Sequence, residues 1–342
     1  MTERLRENWL CLSGGNALGA YHAGAYEALA AKGITPTRIA GASIGAITSA
    51  IIAGNAPEAR VPRLRRFWGK ATQHQHVLPL FDGMMPRMGE WLSLLQTLTY
   101  GRTSLFRRTL PSLLPLLPGI SSPPHVFDPS PLRQTLGKLV DFGRLSSGPV
   151  RLLVTAVDLE TGDDVTFDSH AGGIELDHLL ASTAFPIAFP PVSIDGHVYV
   201  DPGVSANLPI VPLLEGSGQQ DVLCFALDLM TAHGRVPKSL DDAVGRAQDL
   251  IFASQSRHAL QSAMRSRTSK ESRMVAVVHL SYDGCGQEIG GKFFDFSARS
   301  IHRRWAAGKA DAEMALALWA DLQTPEAGAI YQLHQGGLRP VE

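Results

Sequence analysis

Apolar and polar positions alternate along the chain in two rhythms: short apolar runs of strand length, and longer stretches with helical spacing. The run Trp9–Leu12 reads as a strand, followed by the glycine-rich Ser13–Gly19 and a helical pattern from Ala20 to about Lys32, which Gly33 stops. A second strand, Arg38–Ala40, leads through Gly41-Ala42-Ser43-Ile44-Gly45 into an apolar helix that ends at Ala53, before Gly54. Strand, turn and helix thus occur twice in succession.

Residues 70–130 break the rhythm, with many prolines, the apolar runs Trp91–Leu98 and Leu110–Leu117, and His74, Gln75 and His76 near the start. This stretch reads as an insertion that covers something. Alternation returns with strands over Val150–Leu159 and Asp164–Asp168, a helix over Leu176–Ala184, strand and turn over Pro190–Val200, and a buried strand over Val222–Met230. Such βα alternation predicts a largely parallel sheet covered on both faces. Asp241–Ser266 has helical spacing and Met274–Leu280 is a further strand. A long helix follows Ser297, a residue able to cap its first turn, with Ile301, Trp305, Met314, Leu316 and Leu318 on its apolar side.

Composition narrows the function classes. Hydrophobic residues at 44% and charged residues at 18% are values of a folding globular chain rather than a disordered one. With 31 Lys plus Arg against 32 Asp plus Glu, the net charge of -1 provides no electrostatic footprint for nucleic acid. Cys11, Cys224 and Cys285 lack metal or redox spacing and read as reduced thiols. Met1–Trp9 holds no apolar signal segment and no apolar run is long enough to span a membrane, so a cytoplasmic location is expected.

The candidate chemistry lies in the turns. Gly41-x-Ser43-x-Gly45 between an apolar strand and an apolar helix is the setting in which a serine is lifted clear of a sheet, with the positive end of a helix beneath it. The plain alternative is a tight βα turn without chemistry. Gly14-Gly15-Asn16-Ala17-Leu18-Gly19 fits a dinucleotide-binding turn poorly, because Asn16 holds the middle glycine position and no acidic residue ends the second strand. An oxyanion hole needs the same small residues with inward amide groups. For a base, Asp201 ends a strand before Pro202-Gly203, whereas Asp195-Gly196 reads as a hairpin turn.

In this order and spacing, the stretches Leu12–Gly19 with Tyr21-His22-Ala23-Gly24, Gly41–Gly45, Ala181–Pro186 through Phe189-Pro190-Pro191, and Asp201-Pro202-Gly203 with Asn207-Leu208-Pro209 resemble the patatin-like phospholipase family. The resemblance covers about residues 9–230. It implies a three-layer α/β/α fold with a mainly parallel central sheet, a catalytic domain over 9–230 with a helical insertion at about 70–130, and a C-terminal helical extension over 231–342 that packs on the same domain. Phe294-Asp295-Phe296-Ser297 and its helix resemble an extension found in a bacterial branch of that family. The implied activity is hydrolysis of lipid carboxylic esters by a Ser-Asp dyad through an acyl-enzyme. Ser43 is then the nucleophile and Asp201 its base. Gly14, Gly15, Asn16 and Ile44 form the oxyanion hole, and Gly19, Gly41, Gly45 and Gly203 shape the motifs. No cofactor and no metal are implied. The implied partner is a lipid or other ester substrate, with the apolar insertion as a candidate lid or peripheral membrane contact through Trp91, Leu92, Leu94 and Leu95; oligomeric state is not legible.

The chain departs from the family pattern where Asn16 stands for the third glycine of the oxyanion loop, Leu18 for the Arg or Lys many members carry, and Pro202 for the middle glycine of the Asp motif. Two competing readings stay open. A Ser-His-Asp triad would use His197 or His279, with His22 read as a structural hydrogen-bonding residue. The fold could also serve as a catalytically inactive lipid-binding or scaffolding module.

Overall fold

The computed structural model describes residues 6–73, 86–109, 125–215, 220–265, 274–322, 329–334 and 337–340. His74, Gln75, His76, the run Leu110–Leu117 and the side chain of Cys285 lie outside the described residues. The chain opens with β1 (Arg6–Leu12), α1 (Ala20–Ala31), β2 (Arg38–Gly41), α2 (Ile44–Ala53) and α3 (Pro57–Ala71). The insertion contributes α4 (Pro86–Tyr100) and a small sheet of β3 (Gly101–Arg102), β4 (Phe106–Arg108) and β5 (Phe127–Asp128). Then come α5 (Ser130–Leu139), α6 (Phe142–Ser147), β6 (Arg151–Asp158), β7 (Asp164–Asp168), α7 (Leu176–Ser182), β8 (Val192–Ile194) and β9 (His197–Val200). The chain continues through α8 (Ile210–Leu214), β10 (Asp221–Asp228), α9 (Leu240–Arg265), β11 (Val275–Ser281), α10 (Ala298–Asp321), β12 (Ile330–His334) and β13 (Gly337–Pro340).

The large sheet runs β13-β12-β11-β10-β1-β2-β6-β9-β8, with β7 also paired to β6. From β12 to β6 every pairing is parallel, and antiparallel strands occur only at the two ends. Side-chain alternation explains the layers. Leu10, Leu12, Leu223, Phe225, Leu227, Val278 and Leu280 face one core with α1, α2 and α10, while Trp9, Cys11, Val222, Cys224, Val275 and Val277 face the other with α8 and α9. This is the three-layer α/β/α arrangement that the near-continuous apolar strands anticipate.

The C-terminal strands β12 and β13 carry too weak a pattern to be read from sequence. The buried face of α10 also differs from expectation. Met314 is exposed, and the side turned inward is Ile301, Arg304, Gly308, Ala312, Ala315 and Trp319. The reason is close approach to α1. A Cβ on Gly24 would lie 1.9 Å from the Trp305 carbonyl oxygen, and one on Gly308 would lie 2.0 Å from that of Tyr21. The two helices therefore meet backbone to backbone, so small residues rather than large apolar ones mark the interface. Ser297 caps α10 as expected, accepting the Ser300 amide at 3.2 Å.

Candidate active site

Ser43 sits where β2 turns into α2, with φ 54 and ψ -124. A non-glycine residue in this strained region persists only when its surroundings hold it. They do so from both sides. A Cβ on Gly45 would lie 2.2 Å from the Leu12 carbonyl oxygen, and one on Gly41 would lie 2.5 Å from that of Gly45, so neither position admits a side chain. The Ser43 amide donates to the buried Ser182 hydroxyl at 2.9 Å, which fixes the turn against α7.

Asp201 follows β9 and is 2% exposed. Its Oδ1 accepts the Gly203 amide at 2.8 Å, and Ser43 lines the same pocket. Burial pushes its pKa up to about 7, with the nearby Ser43 hydroxyl and the Gly203 amide opposing that rise. Such a carboxyl is a far better match to proton transfer at neutral pH than an ordinary Asp. Pro202 opens the short 3₁₀ turn after Asp201, where the missing N–H costs nothing.

The glycine-rich turn lies beside Ser43: a Cβ on Gly14 would be 3.1 Å from the Ser43 Cβ. Gly15 has φ 156 and Asn16 φ 48, the latter a conformation that Asn tolerates better than most side chains, which accounts for Asn in a glycine position. Among the described residues, the amides of Gly15, Asn16 and Ile44 have no protein acceptor. Gly14 differs from expectation. Its amide donates to the Asn207 carbonyl at 3.1 Å and its own carbonyl accepts from Asn207 Nδ2 at 3.2 Å, so Gly14 braces the turn and has no N–H left to offer an oxyanion.

These groups line the floor of a pocket of about 860 Å³, counting its open mouth. Its walls are apolar. Phe106, Phe189 and Phe294 line it and cluster with Phe127 behind them, with ring centroids 4.8 to 6.3 Å apart, and Phe252 packs on Phe293 at 5.6 Å. The insertion, the loop before β8 and the C-terminal region each contribute. Among the described lining residues Asp201 alone is ionisable. An apolar slot with a nucleophile, a base and free amides at its floor can bind an acyl chain and attack its carbonyl.

A family model described as patatin-like phospholipase matches residues 10–214, and a second, described as patatin phospholipase, matches residues 230–327. The chain belongs to the patatin-like phospholipase family. No curated protein sequence matches it. Among solved structures it is similar to VipD from Legionella pneumophila, at 14% identity and a TM-score of 0.43 over 90% of this chain and 66% of that one. It is also similar to full-length ExoU, solved with SpcU from the type III secretion system of Pseudomonas aeruginosa, at 20% identity and a TM-score of 0.31 over 75% of this chain and 51% of that one. The chain thus spans less than two thirds of the length of either.

Several patatin-motif residues have structural partners instead of a place in the pocket. Leu18 is buried in the core, so this chain has no charged side chain anywhere in the glycine-rich turn. His197 pairs with Asp158 at 2.9 Å, and His279 lies 3.5 Å from Asp228; neither lines the pocket, and among the described residues no other imidazole does. His22 is buried, its Nε2 lies 3.2 Å from the Leu227 carbonyl, and burial lowers its pKa to about 4, so it is a neutral structural residue. Asp195 and Gly196, with φ 51 and 86, form the hairpin turn between β8 and β9. Among the described residues no cluster of His, Cys, Asp or Glu is placed to hold a metal, and no helix is long and apolar enough to cross a membrane.

Sequence reasoning missed Gln255. From α9 its Oε1 accepts the Asn207 amide at 3.2 Å and its Nε2 donates to the Gly203 carbonyl at 3.3 Å, pinning the loop that carries Asp201. A lone polar residue in a helical stretch carries no signal of this role. The aromatic wall was equally hidden: Phe185, Phe189 and Phe294 stand in the resemblance stretches, but nothing in the sequence shows that they meet around one pocket.

Proposed function

We propose that this patatin-like protein is a serine acyl hydrolase that cleaves lipid carboxylic esters through a Ser43–Asp201 dyad and an acyl-enzyme intermediate. The observation that carries the reading is a serine held in a strained strand-to-helix turn and a buried carboxyl lining the same apolar pocket. Asp201 takes the Ser43 proton as Oγ attacks the ester carbonyl. The amides of Gly15, Asn16 and Ile44 stabilise the oxyanion, and the proton passes to the leaving alcohol as the tetrahedral intermediate collapses. Asp201 then takes a proton from water, the hydroxide equivalent attacks the acyl-enzyme, and the carboxylic acid leaves as Ser43 is reprotonated.

The same pocket informs substrate and location. With no cation among the described lining residues, the acyl chain supplies most of the recognition and the head group is left outside. Phe185 lines the mouth at 40% exposure and Ile187 beside it is 76% exposed, an apolar lip suited to peripheral contact with a lipid surface. In α4, Leu94 packs against Gly291 while Trp91 and Leu95 remain exposed, so the insertion both covers the core and offers an apolar outer face. Residues 231–342 are read as an extension of the catalytic domain rather than a separate unit, since β11 pairs directly with β10.

A graded series of p-nitrophenyl esters and phospholipids tests this reading. Turnover is expected to rise with acyl length, to change little with head-group charge, and to increase when the ester passes from monomers to micelles. A folded protein that hydrolyses no ester in the series would contradict it.

A further inference from the structure

The glycine-rich turn has no cation of its own, yet it is tied to one that arrives from far along the chain. Arg304 on α10 is fully buried, and each of its five N–H groups has an acceptor. Nε and Nη2 donate to the two Glu288 carboxylate oxygens at 3.0 and 2.6 Å, Nη2 donates to the Lys292 carbonyl at 3.2 Å, and Nη1 donates to the carbonyls of Asp295 at 2.8 Å and Ala17 at 3.1 Å. Charge-assisted bonds of this kind are stronger than neutral ones, and a fork with every donor engaged has no freedom to drift.

The Ala17 bond matters for what lies at its other end. Ala17 carbonyl and Leu18 amide belong to one peptide plane, and that Leu18 amide donates to the Gly15 carbonyl at 3.0 Å. Gly15 carbonyl and Asn16 amide belong to the next plane. A continuous line therefore runs from the guanidinium, through two peptide groups, to the Asn16 N–H at the pocket floor. Each bond in the line orients and polarises the next. Gly15 at φ 156 and Asn16 at φ 48 leave the backbone there able to take other conformations, and the Arg304 bond to the Ala17 carbonyl helps to fix it. The same fork holds the carbonyls on either side of Phe293 and Phe294, so it links the turn to the wall of the pocket.

We propose that Arg304 is a positioning residue for catalysis: from the C-terminal region it sets the Gly15–Asn16 peptide so that the Asn16 amide points at the developing oxyanion. The inference rests on the oxyanion role proposed above for that amide. It assigns residues 231–342 a part in the chemistry although none of them touches the reacting atoms. Glu288, bonded on both oxygens, holds the fork in the plane that reaches Ala17.

Steady-state kinetics on a p-nitrophenyl ester with wild type, Ser43→Ala and Arg304→Lys, each checked for folding by circular dichroism, test it. Lysine keeps the charge and loses the fork. Removal of one oxyanion donor lowers kcat by about 10²–10³-fold, so its misalignment is expected to lower kcat by about tenfold or more, with KM within about twofold because the apolar pocket still binds the acyl chain. A folded Arg304→Lys with kcat within about fivefold of wild type, or with its loss confined to KM, overturns the proposal while an inactive Ser43→Ala leaves the dyad standing. An active Ser43→Ala instead overturns the dyad and, with it, the oxyanion role on which the proposal depends. Should Arg304→Lys fail to fold, Glu288→Gln decides by the same criteria: its amide NH₂ faces guanidinium donors, the fork must rotate away from Ala17, and an unchanged kcat overturns the proposal.

Discussion

Replacing Ser43 by Ala or Asp201 by Asn is expected to lower kcat by about 10³-fold or more, with the fold intact in both variants. Each change removes one half of the proposed dyad, and among the described residues no imidazole lines the pocket to take over the proton. The two variants should differ in stability. Ser43→Ala removes a hydroxyl that favours the ionised form of the buried carboxyl, which costs stability at pH 8. Asp201→Asn replaces a buried charge by a neutral group that can still accept the Gly203 amide, so its Tm at pH 8 should exceed that of wild type. Thermal melts alongside the kinetics check both signs.

The pH dependence follows from the same carboxyl. As a general base Asp201 acts only when ionised, so kcat/KM is expected to climb with pH through about 7 and level off above it. An ordinary Asp, ionised near pH 4, would place that limb about three units lower. Stability should run the opposite way. Because the folded pKa is raised above the unfolded one, the contribution of Asp201 to stability is full below about pH 4, declines as pH rises, and is lost once pH passes about 7. Its size is on the order of a few kcal/mol. Comparing wild type with Asp201→Asn across this range isolates the contribution, since the amide does not titrate.

Much of the fold could be read from the chain because the parallel strands are buried on both faces and so appear as continuous apolar runs, punctuated by glycines at the turns. Asp164–Asp168 agrees residue for residue, β2, β6, β10 and β11 agree to within a residue or two, and β1 begins three residues earlier than its apolar run. The two motif turns were legible for a steric reason: Gly41 and Gly45 stand where backbone passes too close for any side chain. What escaped was whatever depends on contacts between distant segments. Gly14 stands in the glycine-rich turn like an oxyanion donor, but Asn207, 193 residues away, occupies its amide. The inner face of α10 hid behind Gly308 and Arg304, residues that hydropathy assigns to the surface. Gln255 and the phenylalanines of the pocket wall come from three separate stretches, and no local pattern announces that they meet.

The most direct measurement is mass spectrometry of the protein quenched during turnover of a p-nitrophenyl ester. An acyl group bonded to Ser43 in wild type, and none in Ser43→Ala, is the result expected of a serine acyl hydrolase of this design. Ester turnover with the adduct on another residue, or with no adduct while release of p-nitrophenol shows a burst, would contradict it.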